Sequence, residues 1–224
     1  MDRLPHGYTN LTKHLGGGEI EKRYQGPARW ANARRELACL TSLEGHLPVP
    51  VVLESDLSVP MIVTGALGGR HGQELIDEGH GDQVLHLVGI TLRRLQALDP
   101  LTVPSLNGSG TVIVHGDFGP QNMHFNVAAD AVVGVFDWES AHLGKPVEDL
   151  AWAEWIVRTH HPGAVSALTK LHRASGLNLP WAERHQAMVR QCRRNLAYCE
   201  SSEMTQSAAD WRRLLAQTEA WRGP

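Results

Sequence analysis

The pattern of apolar and polar positions divides the chain into a strand-rich first third and a helix-rich remainder. Two short runs, Thr9–Leu15 and Glu19–Tyr24, flank three consecutive glycines, which predicts two strands joined by a turn. Apolar residues at helical spacing after Pro27 predict a helix from about residue 28 to 44. β-Branched runs bounded by proline predict two more strands, over Leu47–Leu53 and Pro60–Thr64.

The second part of the chain is dominated by helical patterns. A broad apolar face predicts a helix over Gln83–Leu98, and four more helices are predicted near residues 147–160, 163–175, 180–200 and 205–222. Between the helix over Gln83–Leu98 and the four later helices, three short apolar runs predict strands over Thr111–Val114, Met123–Val127 and Ala131–Phe136.

Glycine is densest between residues 65 and 72, where four of the eight residues are glycine. Because glycine adopts many backbone conformations, this stretch predicts a linker between two lobes. We therefore expect an α+β fold in which residues 1–66 form a small β-rich lobe and residues 67–224 form a larger, mainly helical lobe.

Composition narrows the class of protein. The 224 residues are 42% hydrophobic and 20% charged, which is enough apolar material for a core. The net charge of −3 argues against a nucleic-acid binder that relies on bulk positive charge. No apolar run approaches the roughly 18 residues that span a bilayer, and the chain start lacks the apolar region of a signal peptide. The three cysteines form no C-x-x-C pair, which is typical of buried thiols. We expect a cytoplasmic protein without nucleic-acid, membrane or obligatory protein partners.

One loop concentrates residues that can do chemistry, the segment His115-Gly116-Asp117-Phe118-Gly119-Pro120-Gln121-Asn122, which follows an apolar strand. A carboxylate such as Asp117, five residues before Asn122, could accept a proton from an attacking hydroxyl. The alternative is that Asp117 and Asn122 only cap turns, as Asp and Asn commonly do.

The next two strands predict where a metal would bind. If they pair as a hairpin, Val127 faces Val132 and, counting outward, Asn122 faces Asp137 at the open end. Directly opposed residues of an antiparallel pair lie about 5 Å apart. An amide oxygen beside a carboxylate suits Mg²⁺, which takes its remaining ligands from phosphate and water.

These motifs resemble those of a known family. The His115–Asn122 segment, Val135-Phe136-Asp137-Trp138-Glu139 and Val147-Glu148-Asp149-Leu150-Ala151 are similar to the aminoglycoside phosphotransferase and choline kinase family, small-molecule kinases with a protein-kinase-like fold. Only a few residues separate Glu139 from Lys145-Pro146, which leaves no room for the activation loop of a protein kinase. The family often has Asp-Pro where this chain has Lys145-Pro146, and we expect that difference to affect a surface turn.

The resemblance implies a role for each matching residue. Asp117 would be the catalytic base or would orient the acceptor hydroxyl, and His115 would support the catalytic loop. Asn122 and Asp137 would hold Mg²⁺ against the phosphates of ATP or GTP. Asp149 would support the loop from the following helix.

A kinase-like site also needs a lysine on the nucleotide phosphates, held by a glutamate on a neighbouring helix. Glu36 lies at the edge of an apolar helix face and has no cation among its i±3 and i±4 neighbours, so it needs a distant partner. Lys22 in the second strand is the candidate, and Arg23, on the opposite face of that strand, is its rival. The alternative is that Lys22 and Glu36 are both solvated and unrelated.

The remaining nucleotide contacts are implied by resemblance alone. Thr9 and Asn10 belong to Gly7-Tyr8-Thr9-Asn10, which resembles the phosphate-covering turn of the family. Val63 and Gly65 belong to Ile62-Val63-Thr64-Gly65-Ala66, whose backbone would bind the purine.

The acceptor is the least determined part of the prediction. Residues 141–224 contain 8 acids and 11 Lys+Arg, whereas a pocket for a polycationic aminoglycoside should gather carboxylates, which favours another hydroxylated metabolite as acceptor. Trp152 and Trp155 are interpreted as core. We expect an ATP- or GTP-dependent, Mg²⁺-assisted phosphotransferase, with a non-catalytic nucleotide-binding pseudokinase and a metal-dependent hydrolase as alternatives.

Overall fold

A computed structural model describes residues 10–223. Its first part is a four-stranded antiparallel sheet with strand order β1-β2-β4-β3. The strands are β1 (Leu11–Gly16), β2 (Glu19–Arg23), β3 (Val52–Asp56) and β4 (Met61–Gly65). The glycine turn between β1 and β2 has positive φ at all three of its glycines, which explains why a run of glycines is needed there.

A single helix, α1 (Arg29–Leu43), lies between β2 and β3 and buries Ala33, Leu40 and Leu43. The strand predicted over Leu47–Leu53 is displaced, since β3 begins only at Val52. Pro48 and Pro50 have no backbone N–H to donate to a ladder, which accounts for the later start.

Two smaller sheets follow. In chain order, the strands are β5 (Arg70–His71), β6 (Val112–Val114), β7 (Met123–Phe125), β8 (Val132–Val135) and β9 (His142–Gly144). Strands β5, β7 and β8 form one antiparallel sheet, and β6 pairs with β9 to form the other. Within the glycine-rich stretch, a side chain at Gly69 would put its Cβ 2.0 Å from the Phe125 carbonyl oxygen, so β5 approaches β7 too closely for any other residue. The lobe division at residue 66 stays a prediction.

The hairpin of β7 and β8 has a different register from the one predicted. Phe125, not Val127, lies opposite Val132, and the ladder continues with Met123 opposite Val135. The Asn126 side-chain oxygen accepts hydrogen bonds from the N–H groups of Asp130 and Ala131, which closes a longer turn. The ladder also shifts between His124 and Phe125, as expected where a strand carries a bulge.

The helices form the rest of the molecule. They are α2 (Gly72–Leu75), α3 (Gly81–Gln96), α4 (Val147–His160), α5 (Leu168–Ser175), α6 (Trp181–Ser201) and α7 (Thr205–Glu219). The other helices predicted from the sequence are confirmed with small differences at their ends, but the one predicted over residues 163–175 begins as a 3-10 helix (Pro162–Ala167) and is α-helical only from Leu168. No helix within residues 10–223 is both long and apolar enough to cross a membrane.

Two apolar clusters hold these elements together. The first joins α1, α3, α5 and the small sheets, and the second joins α4, α6 and α7. In the second cluster the rings of Trp152 and Trp155 stack with centroids 4.4 Å apart, which confirms that both rings belong to the core. The three cysteines, Cys39, Cys192 and Cys199, are buried free thiols, as predicted.

Candidate active site

A buried carboxylate from α4 holds the start of the loop between β6 and β7. Asp149, in the first turn of α4, accepts hydrogen bonds from the backbone N–H groups of His115 (2.8 Å) and Gly116 (3.0 Å). Gly116 has φ +84°, and a Cβ there would lie 2.5 Å from the Ser140 carbonyl oxygen, so the turn requires glycine. Burial raises the pKa of Asp149 to about 6, although the two N–H groups oppose the rise. Asp149 therefore fixes the path of the chain into Asp117.

The imidazole of His115 supports the same loop. Its Nδ1 accepts the backbone N–H of Asp117 at 3.2 Å, which places the ring proton on Nε2, 3.0 Å from the Phe136 carbonyl oxygen. The side chain is fully buried, and burial lowers the pKa to about 4, so the ring is neutral near pH 7. This geometry makes His115 a positioning residue for Asp117.

Three side-chain donors converge on the Asp117 carboxylate. The Asn122 Nδ2 lies 2.9 Å from Oδ2, and the Trp152 indole N–H donates to Oδ1 at 2.7 Å. Gln121 Nε2 donates to Oδ1 at 3.2 Å. Burial raises the pKa of Asp117 to about 7; the Trp152 N–H opposes the rise and the charge of Asp137 adds to it. A carboxylate with this pKa is suited to accept a proton near neutral pH.

Two of these donors were missed by the sequence interpretation. The sequence favours a core position for Trp152 over a site for a stacked cation; its ring does pack in the core, but its N–H also donates to Asp117. Gln121 lies inside the recognised segment but was given no role. Tryptophan N–H groups usually find a partner when buried, and that general rule was the only sequence signal for Trp152.

Asp137 reaches the site by a backbone turn rather than by the predicted ladder position. Phe136, not Asp137, lies opposite Asn122, and its N–H donates to the Asn122 carbonyl oxygen at 3.1 Å. The prediction that Asn122 faces Asp137 was therefore wrong. Asp137 has φ +68°, a left-handed conformation that is uncommon outside glycine. Such strain is often retained at functional sites.

The Lys22 ammonium joins the first sheet to this turn. Its Nζ lies 2.6 Å from Glu36 Oε2 in α1 and 2.6 Å from Asp137 Oδ1. The predicted pairing of Lys22 with Glu36 is confirmed, and the Tyr24 hydroxyl, which the sequence interpretation missed, also donates to Glu36 at 2.6 Å. The rival Arg23 instead pairs with Glu21 on the exposed face of the same strand.

A third carboxylate, Glu139, completes an acidic cluster with Glu36 and Asp137. Its Oε2 lies 3.8 Å from Lys22 Nζ and accepts from Asn10 Nδ2 at 2.6 Å. One oxygen from each of the three carboxylates lies within 4.8 Å of the others. Burial and the Asp137 charge raise the pKa of Glu139 to about 7. Burial alone would lower the pKa of Lys22, but Glu36, Asp137 and Glu139 raise it above its ordinary value.

This donor set fits a magnesium ion. It consists of hard oxygen ligands with more negative charge than Lys22 can neutralise, and Mg²⁺ prefers such ligands. The Asn122 amide nitrogen is used by Asp117, so its amide oxygen is the atom that could join Asp137 on a metal. Glu139 was missed because nothing in its spacing distinguishes it from an ordinary turn residue.

The other residues predicted to contact the nucleotide lie in different parts of the structure. Thr9 lies outside the described residues, whereas Asn10 contacts Glu139 and also accepts the Gln25 N–H at 3.1 Å. Val63 and Gly65 lie in β4. The N–H of Gly65 donates to the Val51 carbonyl oxygen at 2.9 Å, so it is already used within the sheet region.

A cavity of about 420 Å³ lies beside α6. It is lined by Lys145, Glu148, Ala187, Arg190, Gln191 and Arg194. Gln191 Nε2 donates to the Gly116 carbonyl oxygen at 3.3 Å, so the cavity wall touches the residue before Asp117. The sequence alone did not indicate this cavity, because its residues come from two distant segments.

Comparison with known proteins agrees with this geometry. The family model described as "Phosphotransferase enzyme family" matches residues 102–183, which include the Asp117 loop, Asp137 and Asp149. The predicted family resemblance is confirmed. A curated relative, "Probable acyl-CoA dehydrogenase IBR3" from Arabidopsis thaliana, is 29% identical over 118 residues, which is 51% of this chain. The match spans only 13% of that relative's length.

Solved structures in the phosphotransferase family share the fold. The GDP complex of aminoglycoside 2'-phosphotransferase-IIIa matches with a TM-score of 0.76 at 12% identity, covering 97% of this chain and 91% of that one. The streptomycin-ATP ternary complex of APH(2")-IIa has a TM-score of 0.67 at 13% identity and covers 95% and 90%. A choline/ethanolamine kinase family protein from Mesorhizobium loti has a TM-score of 0.68 at 15% identity and covers 96% and 85%. The predicted α+β, kinase-like fold is therefore confirmed.

Proposed function

We propose that this protein transfers the γ-phosphoryl group of a purine nucleoside triphosphate to a hydroxyl group of a small molecule. The observation that carries the proposal is the Lys22 ammonium, which lies 2.6 Å from both Glu36 and Asp137 although these residues are far apart in the chain. A lysine held by a helix glutamate beside a metal-binding aspartate is the phosphate-binding arrangement of kinases.

In this proposal the acidic cluster and Lys22 bind the donor. Lys22, oriented by Glu36 and Tyr24, would contact the nucleotide phosphates. Asn122 and Asp137, with Glu139 beside them, would hold Mg²⁺, which when bound neutralises phosphate charge. Structural neighbours described as GDP and ATP complexes support a purine nucleotide as donor.

Asp117 would act on the acceptor. Its carboxylate accepts the proton of the acceptor hydroxyl as the hydroxyl oxygen forms a bond to the γ-phosphorus. The bond from that phosphorus to the bridging oxygen of the β-phosphate breaks, and the nucleoside diphosphate leaves. His115 and Asp149 keep the loop in place, while Trp152 and Asn122 orient the carboxylate.

The experiment is a thermal-shift titration with Mg·ATP and Mg·GTP on wild type, Asp137→Asn and the control Asp82→Asn, an exposed aspartate on α3. Ligand at 100 times its Kd adds about 2.7 kcal/mol to the free energy of unfolding, which is roughly 5–10 °C for a chain of this size. We expect a magnesium-dependent shift in wild type and Asp82→Asn that Asp137→Asn lacks.

Nucleotide turnover is then measured with a panel of hydroxylated acceptors. Release of nucleoside diphosphate with phosphorylation of an acceptor supports the transferase. Binding without turnover would instead favour the non-catalytic nucleotide-binding alternative. The absence of any nucleotide effect would contradict the whole proposal.

A further inference from the structure

The cavity beside α6 is positioned to hold the acceptor. Gln191, in its wall, donates to the carbonyl of Gly116, which directly precedes Asp117. The nucleotide-binding residues proposed above do not line this cavity; they lie where Lys22 contacts Asp137. The chemistry of the cavity lining therefore bears on which acceptor can reach Asp117.

The cavity lining is basic. Lys145, Arg190 and Arg194 contribute three cations, whereas Glu148 contributes the one carboxylate of the lining. That carboxylate is already engaged, since Glu148 accepts from the Lys145 backbone N–H at 2.8 Å and lies 3.1 Å from His142 Nε2. The hydrogen bond from His142 helps to lower the pKa of Glu148 to about 2, so the carboxylate remains ionised.

The cavity cations differ from two neighbouring arginines of α6 and α7 that form ion pairs. Arg193 in α6 pairs with Glu219 at 2.7 Å, and Arg212 in α7 pairs with Glu200 at 2.6 Å. Within residues 10–223, the ion pairs include no partner carboxylate for Lys145, Arg190 or Arg194. Arg194 donates to the neutral side chain of Gln191, and its charge also helps to lower the pKa of Glu148. Cations that line a cavity without a direct carboxylate ion pair are available to an anionic ligand.

We propose that the acceptor is an anionic hydroxylated small molecule whose carboxylate or phosphate group binds Lys145, Arg190 and Arg194 while its hydroxyl reaches Asp117. This inference rests on the proposed function and names its substrate class. Arginine matches carboxylate and phosphate oxygens with paired N–H groups, so an anion gains specific hydrogen bonds here. A polycationic acceptor would meet like charge instead, which is unfavourable at short range.

Lys145 is the one cavity cation that does not come from α6. Its backbone N–H donates to Glu148 in the turn before α4, and Lys145 also lines the cavity. Its ammonium adds a third cation to the two arginines of α6.

Isothermal titration calorimetry tests the inference at constant ionic strength, in the presence of saturating magnesium and a non-hydrolysable ATP or GTP analogue. The probes are malate, glycerol 3-phosphate, glycerol and kanamycin. We expect malate or glycerol 3-phosphate to bind at least about tenfold more tightly than glycerol or kanamycin, since one charged hydrogen-bonded contact is worth that much. Comparing malate with glycerol 3-phosphate distinguishes a carboxylate from a phosphate ligand.

The variants locate the binding. The double variant Arg190→Gln/Arg194→Gln should bind the anionic probe at least about tenfold more weakly than wild type does. Arg193→Gln, a neutralised arginine of the same helix whose partner is Glu219, should leave probe affinity unchanged. The nucleotide-dependent thermal shift should be the same in all of these variants.

Several results would overturn the inference. The first is that neither malate nor glycerol 3-phosphate shows saturable binding. The second is that glycerol or kanamycin binds as tightly as the anions or more tightly. The third is that the Arg190 and Arg194 substitutions do not change the affinity for the anions. If the nucleotide still binds and turns over, any of these results removes the anionic acceptor and leaves the phosphotransferase proposal standing. Loss of nucleotide binding in wild type would instead contradict the proposed function itself.

Discussion

Two regions that meet the Asp117 loop carry opposite charge. In the first, Glu36, Asp137 and Glu139 lie around a single lysine, Lys22. In the second, the cavity beside α6, three cations and the single carboxylate of Glu148 form the lining. The first region is suited to a metal ion with its phosphates, and the second is the region that we propose for an anionic organic group.

The two regions also differ in how firmly their side chains are held. Glu36 is only 4% exposed and is bonded by both Lys22 and Tyr24, whereas Lys145, Arg190 and Arg194 are exposed. Buried charges lose much when a partner is removed, while exposed ones are screened by water and salt. Substitutions on the acidic side should therefore have larger effects than substitutions in the cavity.

The largest effect is expected at the boundary between the two regions. Asp117→Asn should lower kcat by about 10²–10⁴-fold, the usual contribution of a positioned base. The nucleotide-dependent thermal shift should be retained, because the Lys22 cluster is unchanged. The kcat of this variant is measured by steady-state kinetics, with Asp82→Asn as the control. Near-normal turnover in Asp117→Asn would show that another group accepts the proton.

Two adjacent residues on one strand test the acidic side. Lys22→Met should raise the KM for the nucleotide about 10–100-fold, because it removes charged hydrogen bonds of about 1.5–3 kcal/mol. Arg23→Gln should leave this KM unchanged, since Arg23 pairs with Glu21 on the exposed face. The KM of both variants is measured by varying the nucleotide concentration. A raised KM in Arg23→Gln with an unchanged KM in Lys22→Met would assign the phosphate contact to Arg23.

The pH dependence follows from the raised pKa of Asp117. Its pKa of about 7 means that the protonated, inactive form dominates at lower pH. The acidic limb of kcat/KM should therefore fall about tenfold per pH unit below pH 7 and level off above it. Glu139 titrates in the same range, so the profile is also measured for Glu139→Gln, which should keep the limb. A flat profile in wild type would contradict the role of Asp117.

The smallest expected effect distinguishes two stacked tryptophans. The Trp152 N–H stabilises the ionised Asp117, so Trp152→Phe should raise its pKa and move the acidic limb upward by about one to two pH units. Trp155→Phe is the matched control, because its N–H donates to Thr218 at 2.8 Å in the core. Equal shifts in both variants would indicate a general loss of packing.

Much of the fold could be predicted from local sequence. The α3 and α4 helices follow from their apolar spacing, and the hairpin of β1 and β2 follows from its glycine turn. The pairing of Lys22 with Glu36 follows from the sequence because a buried glutamate with no cation at i±3 or i±4 on its helix needs a partner elsewhere.

The hairpin register could not be predicted in the same way. Counting outward from a short turn assumed a regular ladder, but the Asn126 side chain stabilises a longer turn and the strand is irregular beside it. Asp137 still reaches Lys22, because its left-handed backbone redirects the side chain. The contact between Asp137 and Lys22 therefore depends on this turn, which the predicted ladder did not contain.

The sequence by itself determined the elements, the Asp117 loop and the residue types needed for phosphoryl transfer, because these depend on neighbours within a few positions. Only the tertiary structure decided that Glu139 joins the acidic cluster, that Trp152 donates to Asp117, and that cations from the β9–α4 turn and α6 line one cavity. Those contacts join residues tens of positions apart, and their distances depend on how whole elements pack. The opposite charge of the acidic cluster and of the cavity beside α6 is therefore a property of the fold, and no local sequence pattern predicts it.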